Sequence, residues 1–137
     1  SLIFTGVSVG NPHCVVFKPT GESWSREELL ALGPALEQHR LFPKRTNVQL
    51  AVPTGRNAVF ILIWERGAGE TQASGSSSCA AASAAVRLGL VKSPVTVKMP
   101  GGMLNIDVAP DFSLTMKGPV AEVARGTLSP SFIRGLK

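Results

Sequence analysis

A short run of glycine and serine residues comes directly before an alanine-rich segment. The run has the sequence GSSS at residues 75–78, and the segment that follows at residues 79–86 reads CAAASAAV. The N-terminus of a helix presents unpaired N–H groups and the positive end of the helix dipole, so it can bind a carboxylate or a phosphate. Glycine allows close approach of a ligand to the backbone, and serine hydroxyls add donors. In the alternative interpretation, which the spacing alone favours, Ser76 or Ser77 only caps the helix.

Two charged residues follow the most apolar segment of the chain. Residues 58–64 are apolar, and Glu65 and Arg66 come directly after them. At the mouth of a sheet, Arg66 can hold a carboxylate through two parallel hydrogen bonds, and Glu65 can accept from an ammonium group. Taken alone, the pair is more often an ordinary surface ion pair, worth about 0–1 kcal/mol and without a function.

Two asparagines lie at the starts of strand-like segments. Asn11 stands between Gly10 and Pro12, which restrict the backbone and hold its carboxamide in one pose, and His13 beside it is a candidate acid or base. Asn47 lies at the start of the strand-like segment at residues 46–52. Without a ligand to organise them, these asparagines are interpreted as ordinary turn residues.

Composition excludes several other classes of function. The two cysteines, Cys14 and Cys79, are too few for a disulfide framework and match no zinc spacing, so we expect no bound metal and a reducing cytoplasm. The net charge of +5 comes from scattered Lys and Arg, and aromatic residues make up only 6%, which gives no support for nucleic acid binding. The apolar segment 58–64 is far shorter than the roughly 20 residues that span a bilayer.

The elements that position these residues are strands and two helices. Ser25 and Glu28 form a predicted capping box at the start of one helix, and Pro34 is expected to break that helix or to begin a second piece. The second helix is rich in alanine and ends at Gly89, a typical C-terminal cap. β-Branched, apolar segments between turn clusters predict about eight strands, at residues 2–9, 14–17, 46–52, 58–64, 95–99, 103–108, 112–116 and 120–127.

The predicted fold class is α+β, with a curved, mostly antiparallel sheet wrapped around a central alanine-rich helix. Small side chains let strands approach that helix from nearly every side. The 137 residues have the length of a single domain. Because the chain starts within a strand-like segment, we expect it to be a piece of a longer protein.

Four motifs together resemble the C-terminal half of diaminopimelate epimerases. They are GNPHCV at residues 10–15, LFP and RTNV within residues 41–48, WERGAGET at residues 64–71, and GSSSCAAA at residues 75–82. The order and the approximate spacing are those of the family, and turns at residues 100–102 and 116–119 fit as well. The resemblance extends from about residue 7 to residue 127.

This resemblance implies an isomerase of lysine and peptidoglycan precursor biosynthesis that interconverts LL- and meso-diaminopimelate without pyridoxal phosphate or another cofactor. Its two similar halves enclose the amino-acid substrate, so the implied partner of this chain is the N-terminal half of the same protein. One cysteine from each half acts on opposite faces of the α-carbon, one as thiolate base and one as thiol acid. Two helix dipoles stabilise the carbanion.

The resemblance also assigns roles residue by residue. Gly75 and Ser76 resemble the cradle of the α-carboxylate, and His13 resembles a residue that orients the catalytic groups. Asn11, Asn47 and Arg66 resemble the groups that hold the distal carboxylate. Glu65 and the backbone of Arg66 resemble the groups that hold the distal ammonium.

The chain departs from the family pattern at the catalytic position, where Ser74 stands in place of cysteine. A serine hydroxyl is too weak an acid to serve as a thiolate does near neutral pH. Three hypotheses stay open: an epimerase inactivated at this position, a homologue that isomerises a related amino acid with one base, and a binding module without catalysis. We expect the chain alone to be inactive. We also expect a lone half to expose the apolar face that meets its partner, which would favour self-association into a homodimer.

Overall fold

A computed structural model describes residues 1–136 and contains three helices and eight strands. The helices are α1 (Arg26–Glu37), α2 (Gly75–Arg87) and the short α3 (Pro130–Arg134). The strands are β1 (Thr5–Ser8), β2 (Pro12–Phe17), β3 (Asn47–Gly55), β4 (Ala58–Glu65), β5 (Gly69–Thr71), β6 (Val95–Met99), β7 (Gly102–Val108) and β8 (Leu114–Lys117).

All eight strands belong to one sheet with the order β1-β2-β3-β4-β6-β7-β8, and β5 pairs with β4. The pairs β2–β3 and β4–β6 are parallel, and the other pairs are antiparallel. Residues 56–57 make the turn between β3 and β4. The predicted α+β class with a mostly antiparallel sheet is therefore confirmed.

Helix α2 lies inside the curved sheet and contacts β1, β2, β3, β4, β6, β7 and β8. Its alanines at positions 80–82, 84 and 85 are at most 1% exposed, because methyl side chains leave room for strands on several sides. The helix ends in a left-handed Gly89, and the N–H of Leu90 donates to the carbonyl of Ala85 at 2.9 Å. The central helix and its glycine cap are both as predicted.

Helix α1 packs on the outer face of the sheet. The capping box is present: Ser25 Oγ accepts from the N–H of Glu28 at 3.1 Å, and the Glu28 carboxylate accepts from the N–H of Ser25 at 2.7 Å. The expected break at Pro34 is wrong, because α1 runs through it to Glu37. Burial of the adjacent Gly33 against the ring of Trp64 holds this last turn to the sheet, and a Cβ at Gly33 would lie 2.6 Å from that ring.

Two strand predictions require correction, and one strand was missed. The first strand begins at Thr5, and β5 was not predicted, because its glycine-rich sequence becomes a strand only through pairing with β4. The expected strand at 120–127 is absent: β8 ends at Lys117, and residues 118–136 are exposed and none of them belongs to a strand. Within residues 1–136, no helix has both the length and the apolar character needed to cross a membrane.

Candidate functional site

Three of the sequence motifs meet at one end of the sheet. Strand β2 begins at Pro12 and runs parallel to β3, which begins at Asn47, so that His13 lies opposite Asn47. Strand β4 is antiparallel to β3 and ends at Glu65. The starts of two strands and the end of a third therefore lie side by side.

Asn47 bridges these strands through its carboxamide and is only 6% exposed. Its Nδ2 donates to the carbonyl oxygen of Pro12 at 3.0 Å, and its Oδ1 accepts from the backbone N–H of Arg66 at 2.8 Å. The alternative of a local Asx turn is therefore wrong, because both partners are distant in sequence. The bridge fixes the Asn11 turn relative to the Arg66 turn and leaves one N–H of the Asn47 amide unused by these two bonds.

Glu37 anchors the turn that carries Glu65 and Arg66, and sequence reasoning missed it. Its carboxylate accepts from the indole N–H of Trp64 at 3.0 Å, from the N–H of Gly67 at 2.9 Å and from the Arg45 guanidinium at 3.1 Å. The backbone hydrogen bond from Gly67, followed by that from Trp64, lowers the pKa of the Glu37 carboxyl. A buried carboxylate at the end of α1 thus holds both sides of the turn.

Glu65 and Arg66 are half-buried and form no ion pair with each other within residues 1–136. The Arg66 guanidinium donates to the carbonyl oxygen of Lys44 at 3.1 Å, which ties the turn to the segment before β3. The simple surface ion pair is therefore wrong for this structure. Each side chain keeps hydrogen-bonding capacity for another partner.

His13 lies in the middle of a buried polar chain and is 1% exposed. Its Nε2 is 3.0 Å from Asn11 Oδ1, and its Nδ1 is 2.9 Å from Gln49 Nε2. Gln49 Nε2 also donates to Ser77 Oγ at 2.9 Å, which connects β3 to the first turn of α2. Burial lowers the pKa of His13 to about 4, so the ring is neutral near pH 7. Gln49 is a further residue that sequence reasoning missed, although a glutamine within an apolar strand was a visible signal.

Ser74 caps helix α2. Its Oγ accepts from the N–H of Ser77 at 3.2 Å and lies 3.4 Å from Ser76 Oγ. The alternative in which Ser76 or Ser77 is the cap is wrong, because the helix begins earlier, at Gly75. Gly75 at this position brings the helix start within reach of the side chain of Met116: a Cβ on Gly75 would lie 3.0 Å from the Met116 sulfur.

Three of the predicted site residues line two different hollows. Ser74 and Gly75 line one of about 290 Å³, together with Met103 of β7, and Asn11 lines another of about 340 Å³ with Lys44 and Arg45 among its walls. Ser74 and Asn11 therefore line separate hollows in the described part of the chain. The polar chain through His13, Gln49 and Ser77 is the link between the two hollows.

Neither cysteine offers a reactive thiol at this site. Burial raises the pKa of Cys14 to about 12, and burial also raises the pKa of Cys79, which lies in the second turn of α2. Within residues 1–136, His, Cys, Asp and Glu side chains form no group of three or more that could hold a metal ion. The chemistry that remains is anion binding by the start of α2, flanked by hydroxyl groups that do not ionise near neutral pH.

Sequence comparison with known proteins finds diaminopimelate epimerases both among family models and among individual relatives. A family model described as diaminopimelate epimerase matches residues 5–123. Diaminopimelate epimerase 2 of Nostoc is 46% identical over 126 residues, which are 92% of this chain and 43% of the relative. The diaminopimelate epimerase of Sphingopyxis alaskensis is 47% identical over 88% of this chain and 44% of its own length. The chain thus spans less than half the length of these relatives.

Solved structures with a similar backbone come from proteins of low sequence identity. A phenazine biosynthesis protein of the PhzF family from Bacillus anthracis matches with a TM-score of 0.57 and 14% identity over 84% of this chain and 38% of its own. A PhzC/PhzF protein from Clostridium difficile matches with a TM-score of 0.58 and 13% identity, over 80% of this chain and 40% of its own. These two similarities concern the fold alone.

Proposed function

Because the chain belongs to the diaminopimelate epimerase family, we propose that it forms the C-terminal half of a two-domain protein that binds diaminopimelate in a cleft between the halves. In this proposal, residues 1–137 are one domain, and the reaction of the intact protein is interconversion of the LL and meso forms without a cofactor. A reducing compartment such as the cytoplasm fits the two free cysteines.

One observation carries the proposal: the start of α2 and the Asn11, Asn47 and Arg66 motifs are tied together at one end of the sheet. A diamino dicarboxylic acid presents an anion and a cation at each end. The N–H groups of Gly75 and Ser76 would hold the α-carboxylate. Asn11, Asn47 and Arg66 would hold the distal carboxylate, and Glu65 with the Arg66 carbonyl would hold the distal ammonium.

Exposed apolar side chains near the Ser74 hollow support a partner half at this face. Met103 and Met116 are 54% and 52% exposed, and Val120 is 97% exposed. Apolar surface clustered around polar groups marks an interaction site. An N-terminal half seated here would join the two separate hollows into one cleft and would exclude water from it. The same surface is available for self-association of the isolated chain, which sedimentation at several concentrations would measure.

Ser74 determines what the intact protein does with its ligand. Epimerisation removes the α-proton on one face and returns a proton on the other, so it needs an acid and a base on opposite sides. A serine hydroxyl next to a helix N-terminus is still mostly protonated near pH 7 and is a poor base. We therefore propose that Ser74 lowers turnover strongly while binding persists. One-base isomerisation of a related amino acid and a binding module without catalysis are the alternatives.

Two measurements on the longer protein separate slowed epimerisation, one-base isomerisation and binding without catalysis. One is titration with meso-diaminopimelate, and the other is transfer of deuterium from solvent to its α-position. Binding with slow exchange and slow epimerisation supports the proposal. Exchange without epimerisation supports one-base chemistry, and binding without exchange supports the binding module. No binding of any diaminopimelate isomer would contradict the assignment of the site, and Arg66→Ala serves as a control that weakens specific binding.

A further inference from the structure

Gln49 joins His13 to Ser77 in the polar chain that runs from Asn11 to the first turn of α2. It stands on β3 between His13 of β2 and Ser77 of α2, and its side chain is completely buried. Its Nε2 is 2.9 Å from His13 Nδ1 and 2.9 Å from Ser77 Oγ. Its Oε1 is buried with no hydrogen-bond partner.

The orientation of the Gln49 amide determines the direction of every hydrogen bond in this chain. With Nε2 toward His13 and Ser77, both amide protons are used, and only the carbonyl oxygen lacks a partner. In the reversed orientation, the oxygen would accept from both neighbours, and two N–H donors would be buried without an acceptor. Unpaired buried donors are rarer and less well tolerated than an unpaired carbonyl oxygen, so the observed orientation is the favoured one.

A donor at Gln49 makes His13 Nδ1 an acceptor. The neutral ring then carries its proton on Nε2, and this N–H donates to Asn11 Oδ1, 3.0 Å away. The oxygen of the Asn11 amide is thereby occupied. Its Nδ2 makes no hydrogen bond within residues 1–136 and remains as a donor, in a hollow whose walls include the cationic residues Lys44 and Arg45.

We propose that Gln49 is a positioning residue that sets the tautomer of His13 and, through it, turns the N–H₂ group of Asn11 toward the ligand. In this orientation Asn11 presents only N–H donors to the hollow. It therefore recognises a carboxylate and disfavours an ammonium group, which would find no acceptor there. By holding Ser77, the same glutamine fixes the start of α2 relative to Asn11. The recognition step rests on the proposed function, whereas the tautomer of His13 does not.

Nitrogen-15 NMR of the imidazole ring tests the tautomer in the 137-residue chain. The wild type is expected to show a protonated Nε2 and an unprotonated Nδ1 at pH 7. Gln49→Glu replaces the donor with a carboxylate that only accepts, so the His13 Nδ1 signal should shift to that of a protonated nitrogen. Gln49→Met keeps the size without a donor and should leave a mixture of tautomers. The exposed His39 provides an internal control whose ring signals should stay unchanged.

The outcomes distinguish the two proposals. A wild-type ring protonated on Nδ1, or a ring that Gln49→Glu does not alter, overturns the role of Gln49. In the longer protein, Gln49→Met should weaken binding of meso-diaminopimelate roughly tenfold through the lost orientation of Asn11, and unchanged affinity overturns its role in recognition. Failure of the wild type to bind, with the expected His13 tautomer, instead refutes the proposed function and leaves the positioning of His13 intact.

Discussion

The carboxylate of Glu37 accepts a 2.9 Å hydrogen bond from the backbone N–H of Gly67, thirty residues further along the chain. The bond joins the last residue of α1 to the turn that carries Glu65 and Arg66. Trp64 donates to the other carboxylate oxygen at 3.0 Å, so that both sides of the turn are fixed by one buried group. The position of the proposed distal subsite therefore depends on a residue that is not a candidate ligand group.

Substitution Glu37→Gln should destabilise the chain. The amide offers one acceptor to donors from three residues and places its own N–H₂ group against at least one of them. Loss of buried hydrogen bonds to a charged group costs about 1–3 kcal/mol. Urea unfolding measures this loss, with Glu22→Gln on the exposed loop before α1 as the control. Equal stability of the two variants would refute the anchoring role of Glu37.

Acidification should reduce stability in a defined window because of His13. The pKa of the ring falls from 6.5 to about 4 in the folded chain, since burial disfavours the charged form. Between these values the unfolded chain binds a proton that the folded chain does not, so the free energy of unfolding decreases as the pH falls from about 6.5 to about 4. Glu37 acts in the same direction, because its carboxyl pKa is lowered in the folded chain. Its contribution to the free energy of unfolding is fully present above the pKa of the unfolded chain and is lost as the pH falls through the folded pKa.

Unfolding by urea at pH 7.5 and at pH 5 tests this window. His13→Gln should show a much smaller difference between the two pH values than the wild type. His39→Gln, at an exposed position, should retain the wild-type difference. A His13→Gln variant with the full wild-type difference would contradict the assignment of the titration to His13.

Local patterns predicted most of the fold, because local chemistry determines those elements. The capping box at Ser25, the alanine-rich helix and its glycine cap at Gly89 each depend on neighbouring residues. Strand β5 and the passage of α1 through Pro34 depend instead on tertiary pairing and packing against β4. The segment at 120–127 has strand-like composition, but all of its residues are exposed and none is part of a strand.

The candidate site was predicted only in part, because local motifs mark its residues but long-range contacts orient them. Asn11, His13, Asn47 and Arg66 stand in recognisable motifs, and the structure joins them at one end of the sheet. The contacts that orient them come from residues 27–36 positions away in sequence, Glu37 for Trp64 and Gln49 for His13. Such long-range partners leave only a weak signal in one sequence, a polar residue within an apolar pattern.

Two glycine substitutions should separate binding from folding. A Cβ on Gly75 meets only the side-chain end of Met116, which is half-exposed and can move, so Gly75→Ala should change the free energy of unfolding by less than about 1 kcal/mol. That Cβ stands beside the proposed carboxylate cradle, and binding of diaminopimelate by the longer protein should weaken. Calorimetric titration with wild-type affinity would show that the cradle lies elsewhere.

The matched substitution Gly101→Ala should have the opposite effect. A Cβ there would lie 2.8 Å from the carbonyl oxygen of Gln72, a backbone atom that already accepts from the N–H of Gly101 at 2.7 Å. The strain should destabilise the fold by about 1–3 kcal/mol. Chemical denaturation of both variants makes the comparison, and a more stable Gly101→Ala than Gly75→Ala would refute this packing argument.

The isolated 137-residue chain should not exchange the α-proton of diaminopimelate. Its Ser74 and Asn11 hollows are separate, and the start of α2 carries hydroxyl groups that do not ionise near neutral pH. Mass spectrometry of diaminopimelate after incubation in deuterium oxide checks this expectation, with an equal amount of heat-denatured chain as the blank. Measurable turnover by this chain would show that a second half is not needed.

Substitution Ser74→Cys should place a thiol at the proposed proton-transfer position at a small cost in stability. Ser74 Oγ caps α2 by accepting from the N–H of Ser77 at 3.2 Å, and a thiol is a weaker acceptor. The loss of a good N-terminal cap should lower the free energy of unfolding by about 1 kcal/mol. The thiol would lie at a helix N-terminus, where the dipole lowers its pKa.

The central claim is that Ser74 occupies the proton-transfer position. The most direct test compares the longer protein with its Ser74→Cys variant and measures deuterium transfer from solvent to the α-position of diaminopimelate. A well-placed acid or base contributes about 10²–10⁴-fold, so the variant should exchange faster by about that factor if the second half supplies the opposing group. Ser76→Cys, two residues further along, should gain nothing. An unchanged rate in Ser74→Cys, measured while diaminopimelate is still bound, would contradict the claim that Ser74 occupies the proton-transfer position.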